Sequence, residues 1–400
     1  MIDLLFALGA LFLLAALHPF VSYPLSLMAI RLCRGRAALQ TSSASGDRSI
    51  AICLCAFNEE CIIEEKIRNL LDLRCAVPEL EILAYVDGTA DGTAERLRRH
   101  SGSIRLEVSR ERRGKTYGMN HLAGMTDASL LIFTDANVML EASTLARLRR
   151  YFDDPRVGCV CGNLICTNAT ESATAAAESL YRRLEEGIKQ LETDTGSAIG
   201  ADGALFAVRR RLRPEVPDDA ADDIYISLSI LCDGYRVVRA PDVRAYERAL
   251  IKMPAEFQRK TRIACQAFNV HCLLWPRLRR LDALSLYKYL SHKLLRWFSP
   301  YTLALAAICL SAALAAANPV RFALGAVAVA LAMLLDGLAR GHGALPRLRA
   351  IIAAFVATAF GVWLSLRGEK FQTWTPARYG EQRIAACKGP GRELPAITLD

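Results

Sequence analysis

Residues 129–138 read SLLIFTDANV, and the fold turns on them. Ser129 to Phe133 carry no charge, as expected of a short strand buried on both faces. Asp135 follows behind this apolar run, with Asn137 two residues further on. A carboxylate and an amide at the mouth of a buried strand stand where a core meets solvent or ligand. Taken alone, such an acid is ordinarily solvated or caps the next element, so its neighbours decide its meaning.

The flanking sequence repeats the plan. SIAICLCAF (49–57) is a strand ending at NEE, followed by the helical CIIEEKIRNLLDL (61–73). LEILAYVDGTADGTAERLRRH (80–100) runs strand, Gly/Asp turn, then helix, with Asp91 or Thr93 as the cap. SIRLEVS (103–109) is a third strand, and GKTYGMNHLAGMT (114–126) opens another helix. This alternation predicts an α/β sheet with helices on its faces. Ligands of open α/β sheets bind beyond the carboxyl ends of the strands. Asn58, Asp87 and Asp135 all fall at such ends, which makes a site of what each alone leaves a turn.

The residue types suit a nucleotide. Asp87 can accept from a base or ribose, and Gly88 and Gly92 allow a backbone to come close. Lys115 is either a cation for phosphates or a solvated surface lysine. Neither G-x-x-x-x-G-K-[ST] nor G-x-G-x-x-G after the first strand is present, which excludes a P-loop and speaks against a dinucleotide cofactor. Oxygen ligands beside a diphosphate suit Mg²⁺ or Mn²⁺, with Asp135 the ligand and Asn137 a weaker neutral helper.

Composition sets the surroundings. The chain has 400 residues, 52% of them hydrophobic, a net charge of +9 and a mean hydropathy of +0.20. That is too apolar for an ordinary soluble enzyme. Residues 1–32 read as a transmembrane anchor, kinked near Pro19 or Pro24, because a crossing takes about 20 apolar residues. A cleavable leader fits poorly, since the apolar run is long and no basic residue precedes it. The basic RLCRGR that follows implies a cytoplasmic side. Apolar blocks recur at 301–317, 322–338 and 351–366. Three crossings there would put the basic tail outside, against the positive-inside tendency. Thirteen cysteines show no metal spacing, and Cys53, Cys55, Cys159 and Cys161 read as core thiols. Basic patches such as RERRGK lack interleaved aromatics, which favours lipid headgroups over nucleic acid as their partner. ALSLYKYLSHKLLRWF (283–298) reads as an amphipathic helix, either at the interface, offering Lys288, His292, Lys293 and Arg296 to headgroups, or packed on the catalytic domain, with the interface preferred.

In order, AFNEE, VDGTADGT, RGKTYGMN, FTDANV, GADGALFAVRR, DDIYISLSILCDGYRVVRAPDVRAYE and RKTRI resemble glycosyltransferase family 2, the inverting GT-A enzymes. The likeness spans about 48–270. SHKLLRWFSP and KFQTWTPAR look like C-terminal signatures of its bacterial membrane members, the exopolysaccharide and cellulose-synthase-like transferases. The resemblance implies an α/β fold with a Rossmann-like nucleotide-binding domain over 46–275, a nucleotide-sugar donor, most often UDP-linked, and Mg²⁺ or Mn²⁺. The apolar and amphipathic patterns extend this to an interface helix over 281–298, membrane helices over 299–367 and a tail over 368–400. The resemblance gives nucleotide-sugar contacts to Ala56, Asn58, Glu59, Asp87, Gly88, Lys115, Asn120, Asp135, Arg259 and Arg262. Asp135 holds the first place of a D-x-D metal motif whose second place is Asn137.

An inverting transfer needs one base. Asp222 and Asp223 open an apolar helical run, where the helix dipole favours acids; capping alone would explain one of them. The family's acidic pair assigns the base to Asp223, with Asp222 beside it. Gly203 would let an acceptor approach, and Asp202 is read equally as binding a sugar hydroxyl and as capping a turn. Arg262 falls on the family's arginine for the leaving diphosphate, and Ile263 stands where processive synthases carry a tryptophan platform. The expected activity is transfer of a sugar to a lipid-linked saccharide acceptor in envelope or exopolysaccharide assembly, at the inner membrane. The alternatives are a processive synthase, and a nucleotide-binding scaffold that would need no base.

Overall fold

The computed structural model describes residues 1–40, 49–250, 252–338 and 344–373, without the side chains of 329–338 and 344–345. Two helices lead, α1 (Ile2–Leu17) and α2 (Ser22–Arg34), followed by β1 (Ile50–Ala56), α3 (Glu60–Ala76), β2 (Glu81–Asp87), α4 (Thr93–Arg98) and β3 (Arg105–Ser109). Then come α5 (Lys115–Gly124), β4 (Leu130–Asp135), β5 (Met139–Leu140), α6 (Thr144–Tyr151), β6 (Val157–Cys166), α7 (Ala173–Asp194) and β7 (Leu205–Arg209). The chain continues through α8 (Asp222–Cys232), β8 (Arg236–Glu247), α9 (Met253–Leu278), α10 (Ala283–Tyr289), α11 (Leu295–Ala317), α12 (Pro319–Leu338) and α13 (Ala344–Leu366).

The strands form one mixed sheet in the order β3-β2-β1-β4-β7-β6-β8-β5. From β3 to β4 all neighbours are parallel, and β7 then enters antiparallel to β4. Strand β1 shows why its run of apolar residues is continuous. Ile50, Ile52 and Leu54 face one side, against Ile63, Ile67 and Leu70 of α3. Ala51 and Cys53 face the other, in the core that holds Met119 and Leu122 of α5 and Val270 and Leu274 of α9. With both faces covered, neither can be polar. Phe133 and Phe206 stack across the β4–β7 pair at 4.9 Å. The parallel register puts Cys55 beside Asp135, so β1 and β4 end together at one edge.

The leading apolar segment is two helices bent by 60°, close to the expected kink. Helix α1 packs along α11, while α2 turns onto α7, where the Tyr23 hydroxyl donates to Glu192 and Arg31 pairs with Asp194. Two helical stretches, Ala283–Ala317 and Pro346–Leu366, are long and apolar enough to cross a membrane, and the bent pair together makes a third candidate. The segment 283–298 differs from expectation. It runs on into α11 through a π-helical turn at Leu290–Leu294. Lys288 and His292 point inward, fully buried: Lys288 donates to the Glu192 and Ser197 carbonyls, and His292 lies between Glu185 and Glu192. The acids of α7 draw them in, so headgroups do not meet them. Twelve cysteines are free among the described residues, with Cys53, Cys159 and Cys161 in the core. Trp374 and most of the basic tail lie outside the described residues.

Candidate active site

The ends of β1, β2 and β4, the start of α8 and the α9 segment 259–263 open onto one cleft of about 940 Å³. Its centre is an ion pair. The Lys115 ammonium, on the first residue of α5, donates to Asp135 Oδ1 at 2.7 Å. Lys115 also feels Asp222 and Asp223, and this acidic company holds its pKa above the ordinary lysine range although burial opposes it.

Asp223 sits in the first turn of α8, as its sequence predicts, and its Oδ1 accepts from the Ile224 amide at 2.8 Å. Burial, then the neighbouring Asp222 carboxylate, push its pKa up to about 7, while Lys115 pulls the other way. Asp222 is 5% exposed and its Oδ2 has no hydrogen-bond partner among the described residues. Gly203 explains itself here: a Cβ at this position would lie 3.0 Å from Asp223 Oδ2 and 3.5 Å from Lys115 Nζ. A side chain here would crowd the Asp223 carboxylate and touch the Lys115 ammonium. Asp202 lines the same wall, accepting from the Ala204 amide at 3.2 Å with Lys189 Nζ 4.0 Å away, so it both closes a turn and faces the cleft.

Several of the residues expected to touch the donor also hold the loops around the cleft together. Asp87 is 3% exposed, and its carboxylate accepts from the backbone amides of Arg113 and Gly114 at 2.7–3.1 Å. It anchors the RRGK loop that delivers Lys115. Gly88, at φ +57, is required by the same loop, since a Cβ there would stand 2.7 Å from the Arg112 amide nitrogen. Asn58 adopts φ +54, and its side-chain oxygen accepts from the Thr89 hydroxyl and the Ala90 amide, stitching the NEE and DGTADG loops together. Asp91 accepts from the Thr93 amide just ahead of α4, whose N-cap is Gly92 rather than Asp91 or Thr93. Ala56 is buried at the strand end. Asn120 does not reach the cleft at all: its amide donates to the Val216 carbonyl and accepts from Arg213, pinning the 213–216 loop. Glu59 does line the cleft, and burial, then Asp135 and Asp91, push its pKa up to about 7.

Arg259 and Arg262 also line the cleft. Arg259 pairs with Glu178 and Glu256, and Arg262 donates to Gln266 at 2.9 Å. Sequence reasoning missed three contributors. Glu247, at the end of β8, accepts from the Asn137 amide at 3.0 Å and from Arg182 at 2.9 Å. Lys66, fully buried on α3, donates to Thr134 Oγ1 at 3.3 Å and to the Val138 carbonyl, bracketing the TDANV loop from below. Burial pulls its pKa down to about 7. The chain after α13 also returns here: Gln372 donates to the Arg113 carbonyl and Gln266 to that of Phe371. A lysine among apolar helical neighbours is the signal that was available for Lys66; nothing local marks the return of 369–372.

Hard oxygen donors therefore meet at the end of β4. Asp135, Asn137, Glu59 and Glu247 line that part of the cleft, where burial, and after it the charges of Asp135 and Asp91, raise the Glu59 pKa. That suits a cation, yet among the described residues no group of three acidic, His or Cys side chains forms a ready metal cage. The remaining ligands would come from a phosphate-bearing molecule and water.

The Glycosyl transferase family 2 model matches residues 51–213, the span from β1 to just beyond β7. No curated protein matches the chain. Among solved structures, a mannosyltransferase from Pyrobaculum calidifontis in complex with GDP-Man and Mn²⁺ superposes with a TM-score of 0.69. It is 22% identical, over 91% of this chain and 99% of its own. Looser likenesses are to S. aureus TarS 1-349 (TM-score 0.43, 13% identity, 80% of this chain and 92% of that one). Another is to glucosyl-3-phosphoglycerate synthase from Mycobacterium tuberculosis (TM-score 0.38, 16% identity, 65% and 85%). Residues 51–213 of this chain thus match the glycosyl transferase family 2 model, and the chain shares the GT-A fold.

Proposed function

We propose that this chain is a membrane-bound, inverting, metal-dependent glycosyltransferase that moves one sugar from a nucleotide donor, UDP-linked, to a lipid-linked saccharide. Its catalytic domain would face the cytoplasm, at the inner membrane of a cell assembling envelope or exopolysaccharide. The observation that carries this reading is the cleft itself. One continuous space holds Lys115, Asp135 and Asp223 and is also lined by Phe20, Ile351 and Phe355 from the apolar helical region.

In this reading Asp223 takes the proton of the acceptor hydroxyl as its oxygen attacks the anomeric carbon. The bond from that carbon to the diphosphate breaks, and the configuration inverts in a single displacement. Lys115 and Arg262 meet the negative charge that gathers on the leaving diphosphate. Asp135 and Asn137, with Glu59 and Glu247 close by, would hold Mg²⁺ or Mn²⁺ together with the donor's phosphates. When bound, the cation supplies further positive charge beside the leaving group. The Asp222 oxygen without a partner is an acceptor waiting for a ligand's hydroxyl.

The test is a screen of UDP-, GDP- and dTDP-sugars with the purified full chain, Mn²⁺ and a lipid-linked saccharide. Transfer from one donor class is expected. Failure to turn over any donor, with or without acceptor, overturns the proposal.

A further inference from the structure

Arg296 leaves two donors without partners in a place where that is costly. Its Nη1 donates to Glu185 and to the Tyr181 hydroxyl. Its Nε and Nη2 are buried and have no hydrogen-bond partner among the described residues. Buried N–H groups are nearly always satisfied, and the exceptions call for an explanation. These two lie on one edge of the planar guanidinium, the edge that grips a carboxylate or phosphate through parallel hydrogen bonds. The residue follows directly on the π-helical turn, and such turns concentrate at functional positions.

The surroundings narrow the ligand. Arg296 and Lys293 line the cleft that contains Asp223. Both contact Glu185, Lys293 at 3.5 Å, so two permanent cations share this carboxylate, and His292 divides itself between Glu185 and Glu192. Arg296 and Lys293 thus set two cations side by side at the wall of the cleft. The Phe20 ring stands 5.3 Å from the guanidinium carbon and 5.8 Å from Phe355 of α13. Ile351 and Ala354 of α13 continue this wall. A fork for an oxyanion beside a wall of apolar membrane-type helix suits a molecule that is a phosphate at one end and a hydrocarbon at the other.

We propose that Arg296, with Lys293, binds the phosphate of a polyprenyl-phosphate-linked acceptor, with the prenyl chain along Phe20 and α13. This rests on the lipid-linked acceptor proposed above, and adds the group by which that lipid is held. It is separate from the donor end, where Lys115 serves the diphosphate. A membrane phospholipid headgroup offers the same phosphate, so the test must tell the two apart.

The full chain in detergent, without donor, is titrated by native mass spectrometry with a polyprenyl phosphate and with the corresponding polyprenol. The wild type is expected to favour the phosphate by about tenfold or more, in keeping with a charge-assisted bidentate pair. Arg296→Lys keeps the charge beside Glu185 but removes the fork, and most of the preference should go. Arg296→Gln should abolish it. Nucleotide binding, measured alongside, should stay within about twofold and certify the fold of each variant. If Arg296→Gln fails that check, Arg296→Lys decides alone. A preference equal in Arg296→Lys and wild type overturns the proposal. So does competition by phosphatidylglycerol as effective as that of the polyprenyl phosphate, which would make the fork a headgroup site. Because binding needs no turnover, a wild type that discriminates yet transfers nothing would refute the proposed reaction and leave this subsite standing. Transfer to a lipid-linked saccharide that Arg296→Lys leaves unchanged would do the reverse.

Discussion

Lys115 Nζ lies 2.7 Å from Asp135 Oδ1, and the same ammonium stands 3.5 Å from where a side chain on Gly203 would begin. One cation thus ties the end of β4 to the loop that faces Asp223. Any change at Gly203 is felt at both. Its backbone angle is open to other residues, so Gly203→Ala should fold. The added methyl would have to displace the Asp223 carboxylate by a few tenths of an ångström. Misplaced catalytic groups are costly, and we expect kcat to fall by about tenfold or more with the thermal midpoint nearly unchanged. Steady-state kinetics beside a melting curve check this; unchanged kcat would mean that Asp223 is not held where the reaction needs it.

Asp223 itself is the proposed base. Asp223→Asn should lower transfer by about 10² to 10⁴ while nucleotide affinity stays within a few-fold. The pH dependence carries a sign. Burial and Asp222 raise the Asp223 pKa to about 7, and a base must be ionised to work. Activity should therefore be low in acid and climb as pH passes through 7. In Asp223→Asn that limb should vanish from the residual rate. Near-normal turnover in the variant removes Asp223 from the chemistry.

The metal reading has its own outcome. Chelator should stop transfer, and Mn²⁺ or Mg²⁺ should restore it. Asp135→Ala should weaken nucleotide binding chiefly when metal is present, as calorimetry with and without Mn²⁺ would show. Full activity in chelator would return Asp135 to the status of Lys115's partner.

Much of this was legible before any coordinates. Strands β1, β2 and β4 announced themselves because a sheet covered on both faces demands unbroken apolar runs, and such runs are local in sequence. Asp223 was legible because helix starts are local too. What the sequence hid is what the fold assembles from afar. Asp87 lines the cleft, but its sequence could not show that its carboxylate also anchors amides 26 and 27 residues later in the chain. Asn120 sits within a family motif yet spends its amide 96 residues away on Val216. The basic face of 283–298 looked outward, since helical periodicity cannot show that α7 presents Glu185 and Glu192 to receive it.

Product length follows from the acceptor wall. A processive synthase must hold its growing chain after every addition, which calls for a flat aromatic face beneath the sugar ring. Where that face would stand, this chain has Ile263, 39% exposed and lining the cleft. Trp297 also lines the cleft, but it is 7% exposed and packed edge-to-face on Phe268 at 5.6 Å, so little of its ring face is open to a sugar. An aliphatic side chain offers a sugar neither a stacking plane nor the geometry that repeats from one residue to the next. The helices nearby are rich in alanine and leucine, and α13 comes so close to α9 that a Cβ on Gly361 would meet the Thr261 carbonyl oxygen at 2.3 Å. We therefore expect one sugar per acceptor. Incubation with donor in large excess over a lipid-linked acceptor, followed by mass spectrometry, should show a product heavier by one residue. A ladder of many residues would show that the chain is held by some other surface, and that Ile263 does not limit its growth.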